Sequence, residues 1–159
     1  MYWTRDPRVR TQAHASAGQH PALPRLDHLT LTELVLPEQA NHYGTLFGPN
    51  ALALLGKAAF LVATRCSRQS VVMAAASGIQ FHQPIPVGSV LQLEAQITRV
   101  GRSSLTAQVV GRFNTAPGVQ PEDVLRGQFE MVCVDAQGRP TALMLPPDAL
   151  QPQPASLHG

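Results

Sequence analysis

Apolar and polar positions alternate between Leu29 and Leu36, where Leu29, Leu31 and one of Leu34 or Val35 are separated by Thr30 and Thr32. That period of two marks a half-buried strand, and Pro37 ends it. Gln39 to Asn50 carries Gly44, Gly48 and Pro49 and reads as a loop. From about Asn50 to Ser67 the chain is apolar nearly all round and rich in alanine. A helix of that kind must be buried on most sides, and the Gly48-Pro49 pair or Asn50 supplies its start. Beyond it every segment has strand character. Val71 to Ala76 is a short apolar strand, which Ile79 to Phe81 continues or bends, and His82 to Gly88 is a turn. Leu91, Leu93, Ala95 and Ile97 alternate with Gln92, Glu94, Gln96 and Thr98. After the turn Gly101 to Ser104, Leu105, Ala107 and Val109 alternate with Thr106 and Gln108. A polar loop, Asn114 to Asp123, leads to a last strand, Leu125 to Val134, with Phe129, Met131 and Cys133 on one face.

The order is one strand, one long apolar helix, then strands joined by short connections, which place neighbours side by side and antiparallel. One central helix wrapped by one curved antiparallel β-sheet is an α+β architecture. Such a sheet has free edges, and pairing them across a two-fold homodimer is the usual way to cover them. Residues 1–26 lack a hydrophobic period and read as an N-terminal arm. Residues 146–159, with Pro146, Pro147, Pro152 and Pro154, read as a Pro-rich C-terminal tail. The folded domain is expected over 27–145.

Composition changes this picture little. A hydrophobic share of 44% in 159 residues suits one globular domain. Charged residues make up only 14%, which points to an exterior partly covered by other subunits. The net charge of +2 is too small, and the arginines too scattered, for a nucleic-acid groove. The most apolar stretch, Ala51 to Ala63, is too short to span a bilayer and is interrupted by Lys57. The N-terminus lacks the apolar core of a secretory signal, so a cytoplasmic protein without a membrane partner is expected. Cys66 and Cys133 match no metal-ligand spacing and read as buried reduced thiols. No metal and no cofactor is expected.

Four stretches resemble one family in order. Asn41-His-Tyr-Gly44-Thr-Leu-Phe-Gly48 resembles its N-x-x-G-x-x-x-G-G, and Ile79-Gln-Phe-His-Gln-Pro84-Ile-Pro-Val-Gly88 its F-x-x-P-V-x-V-G-D. Val100-Gly-Arg-Ser-Ser104-Leu is similar to V-G-R-[ST]-S-M, and Val132-Cys-Val-Asp135-Ala-Gln-Gly138-Arg-Pro140 to V-x-V-D-x-x-G-[KR]-P. The family is that of the hot-dog-fold acyl-CoA thioesterases, the bacterial short-chain acyl-CoA thioesterases and the brain-type acyl-CoA hydrolases. The resemblance implies a hot-dog fold and hydrolysis of acyl-CoA to fatty acid and coenzyme A. It implies that Asn41 places the thioester or the attacking water, and that backbone near Gly48 polarises the thioester carbonyl. Free N–H groups at a positive helix end suit a developing oxyanion. It also implies that Arg102, Ser103 and Ser104 contact coenzyme A. An acyl-CoA or related acyl thioester is then the ligand, and a homodimer, or a trimer of dimers, the assembly. His42, beside Asn41, is a further candidate. The same residues have plainer uses: Asn41 can hold its loop through its amide, Arg102 to Ser104 can be a solvated hairpin, His82 a turn residue, and Lys57 can snorkel.

The chain departs from the family at the position of the catalytic carboxylate. The family places Asp on the helix two turns after the glycine matched by Gly48, and a sister group places Glu there, as base or nucleophile. Here that position is Gly56, and no Asp or Glu occurs between Glu38 and Glu94. Pro49 replaces the second glycine and removes an N–H. The first reading is therefore an acyl-CoA thioester hydrolase with a modified active site. The alternative is a non-catalytic acyl-CoA or acyl-carrier binding protein, or a structural hot-dog protein.

Overall fold

A computed structural model of the chain describes residues 25–113 and 118–150. Most of the expected N-terminal arm and most of the C-terminal tail lie outside these residues; Leu26, at the arm's expected end, packs against the core. The elements are β1 (His28–Leu34), a single 3-10 turn (Pro37–Gln39), α1 (Gly48–Ser67), β2 (Val71–Phe81), β3 (Val90–Val100), β4 (Ser104–Phe113) and β5 (Glu122–Cys133). The strands form one antiparallel sheet in the order β1-β3-β4-β5-β2. The helix lies across one face of it, the expected α+β hot-dog layout.

The alternating segments bury the faces their pattern predicts. Leu91, Leu93 and Ala95 of β3, Leu105, Ala107 and Val109 of β4, and Phe129, Met131 and Cys133 of β5 are all fully buried. They meet Leu55, Ala58, Ala59, Val62, Ala63 and Cys66 of α1 in one core. Of the two candidates at the end of β1, Val35 is the buried one and Leu34 is exposed. Proline at the start sets the helix in motion two residues earlier than Asn50, at Gly48. The helix stops at Arg68, whose φ of 54° is left-handed and whose N–H donates to the Thr64 carbonyl at 2.8 Å. Ala149, in the segment expected as tail, is fully buried.

Ile79 to Phe81 continues the strand that starts at Val71, so β2 is one strand of 11 residues. Its register against β5 shifts twice, and Gly78 has a φ of 57° inside the second shift, a conformation in which a β-carbon is costly. One feature differs from the expectation: the connection from β2 to β3 does not form a hairpin. β2 pairs with β5 and β3 with β1 and β4, so this connection crosses the end of the sheet. It is held there by the loop that precedes the helix: Leu46 N–H donates to Ile85 O at 2.7 Å, and Val87 N–H to Gly44 O at 3.1 Å. Gly88 N–H donates to Val35 O at 2.8 Å. These bonds replace the strand pairing that a short connection otherwise favours.

The two sheet edges are unlike. β1 is short and carries Thr30, Thr32 and Glu33. β2 is long and exposes Val72, Met73 and Phe81 with Ala74, Ala75 and Ala76 between them. Leu52, Phe60 and Leu61 of α1 are exposed as well. No helix among the described residues is long and apolar enough to cross a membrane.

Both cysteines are free and buried. Burial, with smaller contributions from Asp27 and Cys133, pushes the Cys66 thiol up to about 11, and burial also raises Cys133. Since the thiolate is the reactive form, an aromatic disulfide reagent at neutral pH is expected to label neither thiol in the folded protein and both after unfolding. Fast labelling of either in the native state contradicts this packing.

Candidate active site

The loop before α1 is organised by Asn41. Its Oδ1 accepts from Tyr43 N–H at 3.0 Å, from Thr45 N–H at 3.2 Å and from Thr45 Oγ1 at 3.2 Å. Its own N–H donates to Thr45 O at 2.8 Å. The side-chain oxygen thus holds the loop, as the plainer reading expects. The amide nitrogen makes no hydrogen bond among the described residues, so one side chain can shape the loop and still present a donor. Neighbouring His42 is exposed and stacks on Tyr43, with ring centroids 3.9 Å apart.

The loop delivers the chain to Gly48, the first residue of α1. Phe47 caps the helix without a side-chain hydrogen bond. Ala51 N–H is already bonded to Phe47 O at 3.0 Å, and Pro49 has no N–H, so the N–H groups left at the helix start are those of Gly48 and Asn50. Asn50 turns its side chain back, Nδ2 donating to Gln39 O at 3.0 Å. A β-carbon on Gly48 would meet nothing within 4 Å. The space belongs to a cavity of about 370 Å3 lined by Thr45, Gly48, Ala51, Phe81, His82 and Ile85 among others. The crossing connection therefore brings His82 to the same cavity as the helix start. The sequence marks His82 only as a turn residue, since nothing in the local pattern shows where the connection crosses.

Two turns along α1, Gly56 is buried. A β-carbon there would stand 2.8 Å from the Cε methyl of Met73. Met73 of β2 lies opposite Met131 of β5, so its side chain reaches the helix from the long apolar edge. Glu33 brings a carboxylate to the helix from the opposite edge but is paired with Lys57. That pairing also accounts for a lysine on an otherwise apolar helix.

Arg102, Ser103 and Ser104 form the β3–β4 turn. Gly101 N–H donates to Ser104 O at 2.7 Å, and the carbonyls of Ser103 and Arg102 accept from Cys133 and Leu143 at 2.8 Å each. The backbone is thus committed to structure, while the Arg102 side chain is exposed and has no ion pair among the described residues. Ser104 pairs with Val132, and Val71 with Cys133, so this turn sits at the Val71 end of β2. Gly48 and His82 sit at the Phe81 end. At about 3.3 Å per residue, a strand of that length separates them by roughly 30 Å. The structure brings Asn41, Gly48 and His82 to one end of the molecule and places the Arg102 turn at the other.

This architecture has known counterparts. The model of the thioesterase superfamily matches residues 43–112. An uncharacterized acyl-CoA thioester hydrolase of Zymomonas mobilis is 35% identical over 107 residues, spanning 67% of this chain and 72% of that protein. The acyl-CoA thioester hydrolase YciA of Escherichia coli is 26% identical over 118 residues, 72% of this chain and 89% of that one. A solved apo-hexameric acyl-CoA thioesterase superposes with a TM-score of 0.70 at 31% identity, over 76% of this chain and 77% of that one. Element order, motif order and this similarity agree, and the chain belongs to the hot-dog-fold acyl-CoA thioesterase family of the thioesterase superfamily.

Proposed function

We propose that the domain, residues 27–145, hydrolyses acyl-CoA thioesters through a modified active site at the start of α1. The observation that carries this reading is the cavity that holds the free helix end and His82 together, next to the Asn41 loop. In this reading the thioester carbonyl oxygen accepts from the N–H groups of Gly48 and Asn50, where the helix end stabilises the negative charge of the tetrahedral intermediate. Asn41 Nδ2 orients the carbonyl or the water. His82 takes a proton as the water oxygen bonds to the carbonyl carbon. The carbon–sulfur bond then breaks, and the departing thiolate takes that proton to leave as coenzyme A. Removing such a base costs about a hundredfold or more.

The relatives named as acyl-CoA thioester hydrolases support the substrate class. The placement of the Arg102 turn supports a site shared between two copies. Two β2 edges laid antiparallel about a two-fold near Ala76 bring Phe81 of one copy beside Val71 of the other. The Arg102 turn of the second copy then approaches the helix start of the first and can meet the phosphates of coenzyme A. The hexamers named for two solved relatives fit a trimer of such dimers.

A second reading, binding without cleavage, is favoured by one contact, the Met73 methyl at the position where a helix carboxylate would stand. Thiol release from a panel of acyl-CoAs separates the two. Hydrolysis predicts turnover that falls at least about tenfold in Asn41→Ala and about a hundredfold in His82→Ala, with His42→Ala near wild type. Saturable binding of acyl-CoA and coenzyme A with no turnover selects the second reading. No binding at all refutes both.

A further inference from the structure

We infer that Gln69 is a positioning residue for coenzyme A, which holds the Arg102 turn in place through the C-terminal segment 141–149. The inference rests on the reading of that turn as a contact for coenzyme A. It goes further by giving a role to a side chain just past the helix, which no motif marks. It also gives a role to a segment that the sequence shows only as the end of the domain and the start of a tail.

The left-handed Arg68 turns the chain out of α1, and Gln69 follows directly. The Gln69 amide uses both of its ends. Its Nε2 donates to Ala142 O at 3.1 Å, and its Oε1 accepts from Met144 N–H at 2.9 Å. One side chain thus pairs with the two backbone groups that flank Leu143, as a neighbouring strand would. Leu143, the residue between them, donates its N–H to Arg102 O at 2.8 Å. The carbonyl of the arginine is therefore held by the C-terminal segment, whereas Ser103 O is held by β5 through Cys133 N–H. The segment is fixed along its length. Thr141 N–H donates to Cys133 O at 2.9 Å, and Leu143 and Leu145 pack against the core. Further on, Asp148 pairs with Arg68 at 3.5 Å and Ala149 is fully buried. The Arg68–Asp148 pair is exposed and contributes little, so the two bonds of Gln69 are the ones that bear on the turn. Their effect is preorganisation. A loose turn must be ordered when a ligand binds, and that ordering costs affinity. Here the backbone is ordered beforehand, while the exposed Arg102 guanidinium stays available for a phosphate.

The test compares full-length wild type, Gln69→Met, Arg102→Ala and the double variant. Calorimetry at one protein concentration measures coenzyme A binding, and hydrogen exchange follows the backbone of 101–104 and 141–145. Methionine keeps the length of the side chain and removes both hydrogen bonds. In Gln69→Met the expected result is faster exchange in both segments, with β3 and β4 unchanged. Coenzyme A should bind about three- to tenfold more weakly, the scale of one or two lost hydrogen bonds. In the Arg102→Ala background the same substitution should weaken binding no further, because the turn no longer carries the guanidinium that it positions. A Gln69 that only supports the fold gives a different pattern: exchange rising across the whole sheet, affinity unchanged, or the same loss of affinity in both backgrounds. Each of these overturns the inference, as does unchanged exchange at 101–104. Arg102→Ala that binds coenzyme A like wild type refutes the reading of the turn itself, and the role of Gln69 falls with it. Binding by none of the four proteins refutes the acyl-CoA reading as a whole, and the inference with it.

Discussion

Phe129→Ala is expected to destabilise the fold by about 3–5 kcal/mol, the usual cost of removing a large buried aromatic ring. Phe129 is fully buried in β5 and is among the largest fully buried side chains among the described residues. Its strand neighbours give the cavity little chance to collapse: Ala107 stands opposite it in β4 and Ala76 in β2. A β-carbon on Gly127 would meet its ring at 3.0 Å, so that glycine already lets the ring pack close. The core helix contributes Ala58, Ala59 and Ala63, which are short and cannot reach into a void. A domain stable by about 5–15 kcal/mol loses a large part of its margin by such a change. Urea unfolding at fixed protein concentration reads it as a lower midpoint at unchanged slope. A loss below about 1 kcal/mol would mean that the surrounding residues fill the space and that the ring is not the keystone of this face.

The ease with which Phe129 is identified as core reflects where sequence is informative. β3, β4 and β5 each have one face on α1 and one outside, so their buried positions repeat every second residue and stand out by pattern alone. β2 does not follow this rule. It is an edge strand with apolar residues on both faces and two register shifts, so no period of two survives in Val71–Phe81. Strand order was equally hidden. The 82–89 connection is short enough for a hairpin, and only its hydrogen bonds to the 44–46 loop and Val35 carry it across the sheet end.

The site divides the same way. Asn41, Gly48 and the vacancy at Gly56 are read from local motifs, because a turn and a helix start are local objects. The role of Asn41 Oδ1 in holding the loop is local too, spanning four residues to Thr45. His82 carries no such local mark, because it reaches the cavity through the connection after β2, which tertiary packing sets against the helix start. The turn at Arg102 is legible in the sequence and is present. Its distance from Gly48 is not legible, since motif order along a chain says nothing about which sheet end a turn occupies.

That distance makes the assembly testable. Ala76→Glu is expected to convert the protein to a folded monomer with the 17.1 kDa chain mass, and to weaken coenzyme A binding by at least about tenfold. Ala76 is the middle of β2, so in an antiparallel pairing of two β2 edges the new carboxylates face each other across the two-fold, and like charges directly opposite destabilise such a pair. The affected binding follows if the site is shared as proposed, because the helix start of one copy then loses the Arg102 turn of the other. A charge-assisted contact of about 1.5–3 kcal/mol corresponds to roughly ten- to hundredfold in affinity. Ala76→Lys should behave alike, and an equal mixture of the two variants should recover both the dimer and the binding, since opposite charges now meet. Recovery separates a broken interface from a broken fold. A dimer that survives in both single variants places the interface away from β2. A monomer that binds coenzyme A as tightly as wild type shows that one copy holds the whole site, and then the Arg102 turn must be excluded from it.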